Sequence, residues 1–354
     1  GFEIVTMYHN ILVYAMVNLG DVILTTSAIA LLKKIYPYAR ITMLSRPIVR
    51  EVIEHNPVID DVILFDYRAK KNSMGKMWDM VKVLRARKFD LAVSFDRKLR
   101  PALLCWLAGI PVRIGPSRVF DDKPSRVTWL YTHTVPITHN LDDTLQAETY
   151  QEIIRGFTGV TGHERPILPC PTAEQQAKMA EILSSSGEKR KIGLCVKGTF
   201  GLKTWPKEYF VEVVRALHAR YDAAFYVTGA PGDYGYAEEV IAAIGLPVEN
   251  LCGKTNLMEL AAFYEQLDLL VSVDTGGAHI AAVTGVPLVV MFGCTSPRRW
   301  HPISDHAMAF TSNEPCCPCS YAEMDCPTYP QPDCLYHVTP DEVICASIQY
   351  LDAR

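Results

Sequence analysis

Two doubly wound α/β domains facing each other across a cleft are the fold class predicted by the sequence, on three observations. Short apolar strands alternate with helices from one end of the chain to the other. The aperiodic stretch Thr161–Thr172, with three prolines, interrupts that alternation once. After it the pattern restarts on the same plan. A chain of 354 residues is long for one core and suits two domains of roughly 150–200 residues, placed at 1–168 and 169–354.

In the first half, strands are expected at Ile11–Met16, Arg40–Leu44, Val62–Phe65, Leu91–Phe95, Val112–Ile114 and Tyr131–Val135. Helices are expected near Asp21–Tyr36, Pro47–His55, Gly75–Lys88 and Asp142–Phe157. Short, wholly apolar strands in a βαβα order point to parallel sheets covered on both faces. In the second half, helix Ala173–Leu183 leads into strand Lys191–Val196, helix Pro206–Tyr221, strand Ala224–Thr228 and helix Tyr234–Ile244. Helix Leu257–Gln266, strand Leu269–Val273, helix Gly277–Thr284 and strand Leu288–Phe292 follow, and Pro340–Tyr350 reads as a terminal helix that packs back across the hinge. The Pro206 helix is the best marked: proline opens it, and Phe210, Val213, Val214 and Leu217 fall on one face.

Composition narrows the function. The chain is 49% apolar and 21% charged, which is globular rather than disordered. A net charge of −4, from 35 basic and 39 acidic side chains, gives no overall field for nucleic acid. Ile11–Met16 follows Glu3 and His9 with no cationic lead-in and no cleavage pattern. The apolar stretch Leu267–Cys294 is broken by Asp268, Asp274, His279, glycines and Pro287, so it reads as strand–turn–helix–turn–strand rather than a membrane span. The expected location is the cytoplasm.

Ligands of open α/β sheets bind at the carboxyl ends of the strands, and five segments there carry candidate chemistry. Gly20-Asp21 follows the first strand; Asp21 either starts the helix as an ordinary cap or serves as a proton acceptor for a hydroxyl. Lys203, with Thr199 four residues earlier, precedes a helix N-terminus whose dipole disfavours a cation, a conflict that a bound phosphate removes. It is not a P-loop lysine, because no G-x-x-x-x-G-K-[ST] is present. In Asp274-Thr275-Gly276-Gly277-Ala278-His279 a carboxylate and two glycines open a helix, as at an anion site or at a simple N-cap. His279 there reads more readily as a core histidine. Asp233, after Gly229-Ala230-Pro231-Gly232, suits ribose hydroxyls or an ordinary surface turn. Asp96-Arg97-Lys98-Leu99-Arg100 sets Arg97, Lys98 and Arg100 at a strand end, suited to an acidic acceptor or to solvation as a charge run.

Together these segments resemble glycosyltransferase family 9, the ADP-heptose:lipopolysaccharide heptosyltransferases. The likeness runs through Leu19-Gly20-Asp21-Val22-Ile23-Leu24-Thr25-Thr26, Tyr36-Pro37-x-Ala39-Arg40-Ile41-Thr42, Lys203-x-Trp205-Pro206, Ser272-Val273-Asp274-Thr275-Gly276-x-x-His279 and Phe292-Gly293-x-Thr295-x-Pro297. The resemblance implies a GT-B fold of two Rossmann-like domains, with the acceptor on the first and a nucleotide sugar on the second. It also implies an inverting transfer from ADP-heptose to a lipid-linked oligosaccharide acceptor at the inner membrane surface, with no cofactor, no metal and no nucleic acid. By motif position Asp21 is then the general base, Lys203 and Thr199 bind the diphosphate with Thr275 and Gly276, and Asp274 holds the heptose. Asp233 matches a ribose-binding position by spacing alone. ADP over UDP or GDP comes from this likeness too.

Five of the 11 cysteines, Cys316, Cys317, Cys319, Cys326 and Cys334, crowd one segment. Loop packing or a disulfide is preferred there over zinc. Two alternatives to transfer stay open: a nucleotide-sugar 2-epimerase of the same architecture, and a sugar-binding protein without catalysis. The acceptor's identity would be written in the loops Tyr67–Met77 and Ser117–Arg126.

Overall fold

A computed structural model describes residues 7–66, 73–319 and 323–354. Part of the loop assigned above to the acceptor, residues 67–72, lies outside the described residues. The chain divides into two compact units, Gly1–Pro169 and Cys170–Arg354.

Unit 1 contains strands β1 (Asn10–Tyr14), β2 (Arg40–Ser45), β3 (Asp61–Leu64), β4 (Leu91–Ser94) and β5 (Val112–Pro116). A small antiparallel hairpin, β6 (Arg118–Val119) with β7 (Lys123–Pro124), and strand β8 (His133–Val135) follow. Its helices are α1 (Leu19–Ile35), α2 (Arg50–Ile53), α3 (Ser73–Arg87), α4 (Leu99–Leu107) and α5 (Gln146–Thr158). The sheet runs β3-β2-β1-β4-β5-β8, all parallel.

Unit 2 contains β9 (Arg190–Cys195), β10 (Ala223–Val227), β11 (Val248–Asn250), β12 (Leu269–Val273), β13 (Leu288–Met291) and β14 (Ala307–Phe310). Its helices are α6 (Ala173–Leu183), α7 (Lys207–Arg220), α8 (Tyr234–Ile244), α9 (Leu257–Glu265) and α10 (Gly276–Thr284). The short α11 (Pro297–Trp300) and α12 (Asp333–Tyr336) precede the terminal α13 (Pro340–Asp352). This sheet runs β11-β10-β9-β12-β13-β14, again all parallel. The two units therefore share one strand order, which reverses between β1 and β4 and between β9 and β12. Those reversals open the crevices where such sheets take ligands.

Burial explains the local choices. Ile11 through Tyr14 and Leu269 through Val273 are buried, as strands covered on both faces must be. Helix α1 is buried from Val22 to Leu32, between the sheet and α5. Thr25, Thr26 and Ser27 keep their hydroxyls satisfied there by donating to the carbonyls of Val22, Ile23 and Leu24. On α7, Phe210, Val213, Val214 and Leu217 are buried, although Pro206 stands at the N-cap rather than inside the first turn. Trp205 is buried beside them and donates its Nε1–H to the Val338 carbonyl at 3.0 Å.

Several expectations change. The charge run after β4 ends in a helix, α4, with Pro101 in its first turn where no amide donor is needed. The β6–β7 hairpin, β11 and the edge strand β14 are additions. Residues 161–167 are aperiodic but tied to unit 1: Thr26 Oγ1 accepts from Ile167 N at 2.9 Å and Asn56 Nδ2 donates to Ile167 O at 2.9 Å. Helix α13 packs on α7 and on β12, β13 and β14 of its own unit. Among the described residues no helix is long and apolar enough to cross a membrane.

Candidate active site

Unit 1 places Asp21 at its crevice. Asp21 lies in the first turn of α1, but Asn18 is the N-cap and makes no side-chain cap bond. The Asp21 carboxylate is held from α5 instead: Tyr150 Oη donates at 2.7 Å and Gln146 Nε2 at 3.1 Å, both to Oδ1. Gln146 and Tyr150 are themselves buried, and Phe95 packs edge-on against Tyr150 at 5.7 Å. Two neutral donors on α5 thus hold the carboxylate. Sequence reading missed both donors, which lie 125 and 129 residues away along the chain.

Across the crevice, at the end of β4, Asp96 is buried. Its Oδ2 accepts from Met16 N at 2.6 Å, and its Oδ1 from Arg97 N at 2.7 Å and Lys98 N at 3.0 Å. Lys98 Nζ donates back to the Met16 carbonyl. One buried carboxylate and one lysine therefore knit the β1–α1 loop to the β4–α4 loop. Of the three cations proposed for the acceptor, Lys98 joins this knot, Arg97 is exposed with its guanidinium 5.7 Å from the Phe120 ring, and Arg100 is exposed on the first turn of α4.

Unit 2 brings Lys203 and Asp274 together. Lys203 ends a 3-10 turn, Gly201–Lys203, and its Nζ lies 3.5 Å from Asp274 Oδ2. Thr295 Oγ1 donates to the same Oδ2 at 2.7 Å. The dipole conflict seen in the sequence at Lys203 is thus met by an internal carboxylate. Gly198 makes the loop possible: a Cβ there would stand 2.5 Å from the Lys203 Cβ and 2.7 Å from the Lys203 carbonyl oxygen. Thr199, by contrast, is exposed on this loop.

Asp274 is not the N-cap of α10. Thr275 is, in extended conformation and without a side-chain cap bond; its Oγ1 lies 3.9 Å from Cys195 Sγ. Gly276 and Gly277 form the first turn, whose amides have no intrahelical acceptors. His279 is buried one turn on, with Nδ1 lacking a hydrogen-bond partner. Burial holds its pKa below the usual imidazole value; Asp274 opposes that shift, and Lys203 and His301 add to it. Asp233 stands apart from this group: its Oδ2 accepts from Ala230 N at 3.0 Å and its Oδ1 is 3.8 Å from Lys197 Nζ, the pattern of a braced turn.

All 11 cysteines are free thiols. Burial raises the Cys294 thiol pKa, and a hydrogen bond to Cys334 leads the causes that raise that of Cys317. Among the described residues, the group of three side chains whose ligand atoms converge within 4.8 Å is Glu314, Asp333 and His337, not a set of cysteines.

Two Rossmann-like units of identical strand order are the architecture of the GT-B fold, the class to which many glycosyltransferases belong. Comparison with known proteins sharpens this. The family model "Glycosyltransferase family 9 (heptosyltransferase)" matches residues 77–329, and the chain belongs to that family. Lipopolysaccharide heptosyltransferase 3 of Escherichia coli is 28% identical over 322 residues, covering 89% of this chain and 90% of that protein. The crystal structure of a family 9 glycosyltransferase from Veillonella parvula superimposes with a TM-score of 0.84 at 24% identity, covering 98% of both chains. E. coli heptosyltransferase WaaC, solved with ADP, shares the fold at a TM-score of 0.71 and 18% identity, covering 96% of this chain and 99% of that one. Family membership disfavours the 2-epimerase alternative.

Proposed function

We propose that this chain transfers a heptosyl group from ADP-heptose to a hydroxyl of a lipopolysaccharide inner-core acceptor, with inversion and without a metal. The acceptor binds unit 1 and the donor binds unit 2. The observation that carries the reading is the first turn of α10: glycine amides and the Thr275 hydroxyl beside Lys203, a site built for a diphosphate. ADP as the nucleotide follows from the family and from the ADP complex of WaaC.

In the reaction Asp21 accepts the proton of the acceptor hydroxyl as its oxygen attacks the anomeric carbon. The bond from that carbon to the diphosphate breaks, and ADP departs with the electron pair. Lys203 turns from Asp274 to the diphosphate, joined by Thr275, the amides of Gly276 and Gly277, and Thr199 from the neighbouring loop. Asp274, thus released, accepts from heptose hydroxyls, and Asp233 from the ribose. Arg97 and Arg100 meet the anionic groups of the acceptor. The lipid-linked acceptor sets the place of work: the cytoplasmic side, at the inner membrane surface.

The test is a donor screen with purified protein, reading nucleotide release with and without a delipidated inner-core acceptor. Release of ADP from ADP-heptose that depends on the acceptor is the expected result. Release from UDP- or GDP-sugars alone overturns the donor, and a new sugar formed without any acceptor overturns transfer.

A further inference from the structure

Large apolar side chains stand in water together on one part of unit 1. Met74 and Trp78 are exposed on one side of α3, Leu99 and Trp106 on α4, and Trp129 on the 3-10 turn Thr128–Leu130 that packs beside α4. The chain has five tryptophans, and three of them are in this set, Trp129 with 67% of its surface exposed. A single exposed apolar residue needs no explanation, but a contiguous group marks a contact surface. Helices α3 and α4 lie side by side, and Arg85 on α3 donates to the Leu107 carbonyl at the end of α4 at 2.7 Å, so their outer faces are continuous. On α4 the inner face is Pro101, Ala102, Leu104 and Cys105, all buried. Leu99 and Trp106, two turns apart at i and i+7, stand on its outer side about 10 Å from each other, while the half-buried Leu103 between them packs on Val127, Leu130 and Tyr131.

Cations outnumber acids on these helices. Helix α3 carries Lys76, Lys82, Arg85 and Arg87 against Asp79, and α4 carries Arg100 with no acid. Arg87 pairs with Asp61, which leaves four cations to one acid in a chain whose net charge is −4. Tryptophan, methionine and leucine interleaved with lysine and arginine on a helix surface match the headgroup–acyl boundary of an anionic bilayer. A protein partner of neutral or basic surface has no use for this charge.

We propose that the α3–α4 face docks unit 1 on a bilayer bearing anionic headgroups, with Trp78, Trp106 and Trp129 entering the boundary and Lys82 and its neighbours on the phosphates. Leu99 follows directly on Lys98 at the carboxyl end of β4, so the docked face borders the crevice that holds Asp21. A lipid-anchored acceptor could then reach Asp21 with its acyl chains still in the membrane. This purpose rests on the proposed transfer; the docking itself does not.

The test is co-sedimentation of the full chain with vesicles of phosphatidylethanolamine and phosphatidylglycerol, and with vesicles of phosphatidylcholine alone. In parallel, transfer is measured to a vesicle-embedded acceptor and to its delipidated, water-soluble form. The wild type binds the anionic vesicles about tenfold better than the neutral ones, and the preference fades at high salt. Trp78→Ser, the triple change Trp78→Ser/Trp106→Ser/Trp129→Ser, and Lys82→Gln each weaken vesicle binding while transfer to the soluble acceptor stays at the wild-type rate. That soluble rate also confirms folding of each variant, and the single Trp78→Ser serves if the triple change fails it. Wild type that binds neither vesicle, or variants that bind like wild type, overturn the proposal. So does a dimer that the triple change dissociates without any vesicle binding. If neither acceptor is used, the transfer reading fails while the sedimentation result still decides the docking.

Discussion

Asp96 and Asp274 stand at matching places, each just beyond the fourth strand of its unit and just before the next helix, yet they bond in opposite ways. Asp96 turns onto the backbone and accepts from Met16, Arg97 and Lys98, so the amides ahead of α4 are already occupied by the chain's own carboxylate. Asp274 turns away from α10 to Thr295 and Lys203, and the glycine turn behind it is left to another anion. The same topology thus yields a carboxylate folded onto the backbone in unit 1 and, in unit 2, a glycine-opened helix terminus proposed to hold an anion. The carboxylate proposed as the base in unit 1 is a different residue, Asp21, which accepts from Tyr150 and Gln146. Asp274 has a cation beside it, Lys203 at 3.5 Å, the one proposed to turn to the diphosphate.

The largest effect that follows concerns Asp21. Asp21→Asn keeps the shape and the bond from Tyr150 but cannot take up a proton. Turnover in the transfer assay should fall by about 10²–10⁴, with ADP affinity unchanged. Turnover near that of the wild type would remove Asp21 from the mechanism and with it the division of roles between the units.

Lys203→Ala should weaken ADP binding by roughly 10–100-fold, the worth of one charge-assisted contact to phosphate. Part of that loss comes from leaving Asp274, only 6% exposed, as an uncompensated charge beside the anion. Adding Asp274→Asn should therefore recover some affinity. Calorimetry on the single and double variants reads both terms. Unchanged affinity in Lys203→Ala refutes the phosphate role, and no recovery in the double variant refutes the proposed coupling.

How much of this the sequence carried depends on distance along the chain. Helix α7 was legible because Phe210, Val213, Val214 and Leu217 obey one period and Pro206 marks its start. Helix α4 was not, because Leu99 and Trp106 place apolar residues on its outer face and blur the period, and Lys98 and Arg100 read as a solvated run. Strands β11 and β14 are a short segment and a half-buried edge, too weak to stand out from loop. At the site, Asp21, Lys203 and Asp274 could be found, since each lies in the passage from a strand to the start of the next helix. Tyr150, Gln146 and Thr295 could not, because only tertiary packing brings them to a carboxylate. The roles of Asp96 and Lys98 were hidden differently: what they bind is mainly backbone, which no side-chain pattern announces.

Asp96→Asn tests the folded-back carboxylate. The amide nitrogen of asparagine would face an amide donor on one of its two sides, so at least one buried N–H loses its acceptor. Unit 1 should lose about 1–3 kcal/mol of stability in denaturant unfolding, while ADP affinity stays unchanged because unit 2 is untouched. Weakened ADP binding in this variant would break the comparison, since it would make the Asp96 site part of the donor chemistry.

The smallest effect isolates the electrostatics of the open site. His279 is buried with a depressed pKa, so it stays neutral in the folded chain at a pH where the unfolded chain takes up a proton. The unfolded state then binds more protons as pH falls through about 6.5. Stability of unit 2 therefore decreases on the acid side of that value, down to the depressed folded pKa. The slope from one such group is at most about 1.4 kcal/mol per pH unit. Asp274 raises the folded pKa and Lys203 lowers it. Asp274→Asn should accordingly steepen or extend the acid decline and Lys203→Ala should shorten it, while His279→Gln flattens it whatever its cost at neutral pH. Unfolding curves between pH 7 and 5 give these slopes directly. If His279→Gln leaves the slope as it was, a different group controls the acid limb, and the buried imidazole takes no part in setting the charge at the glycine turn.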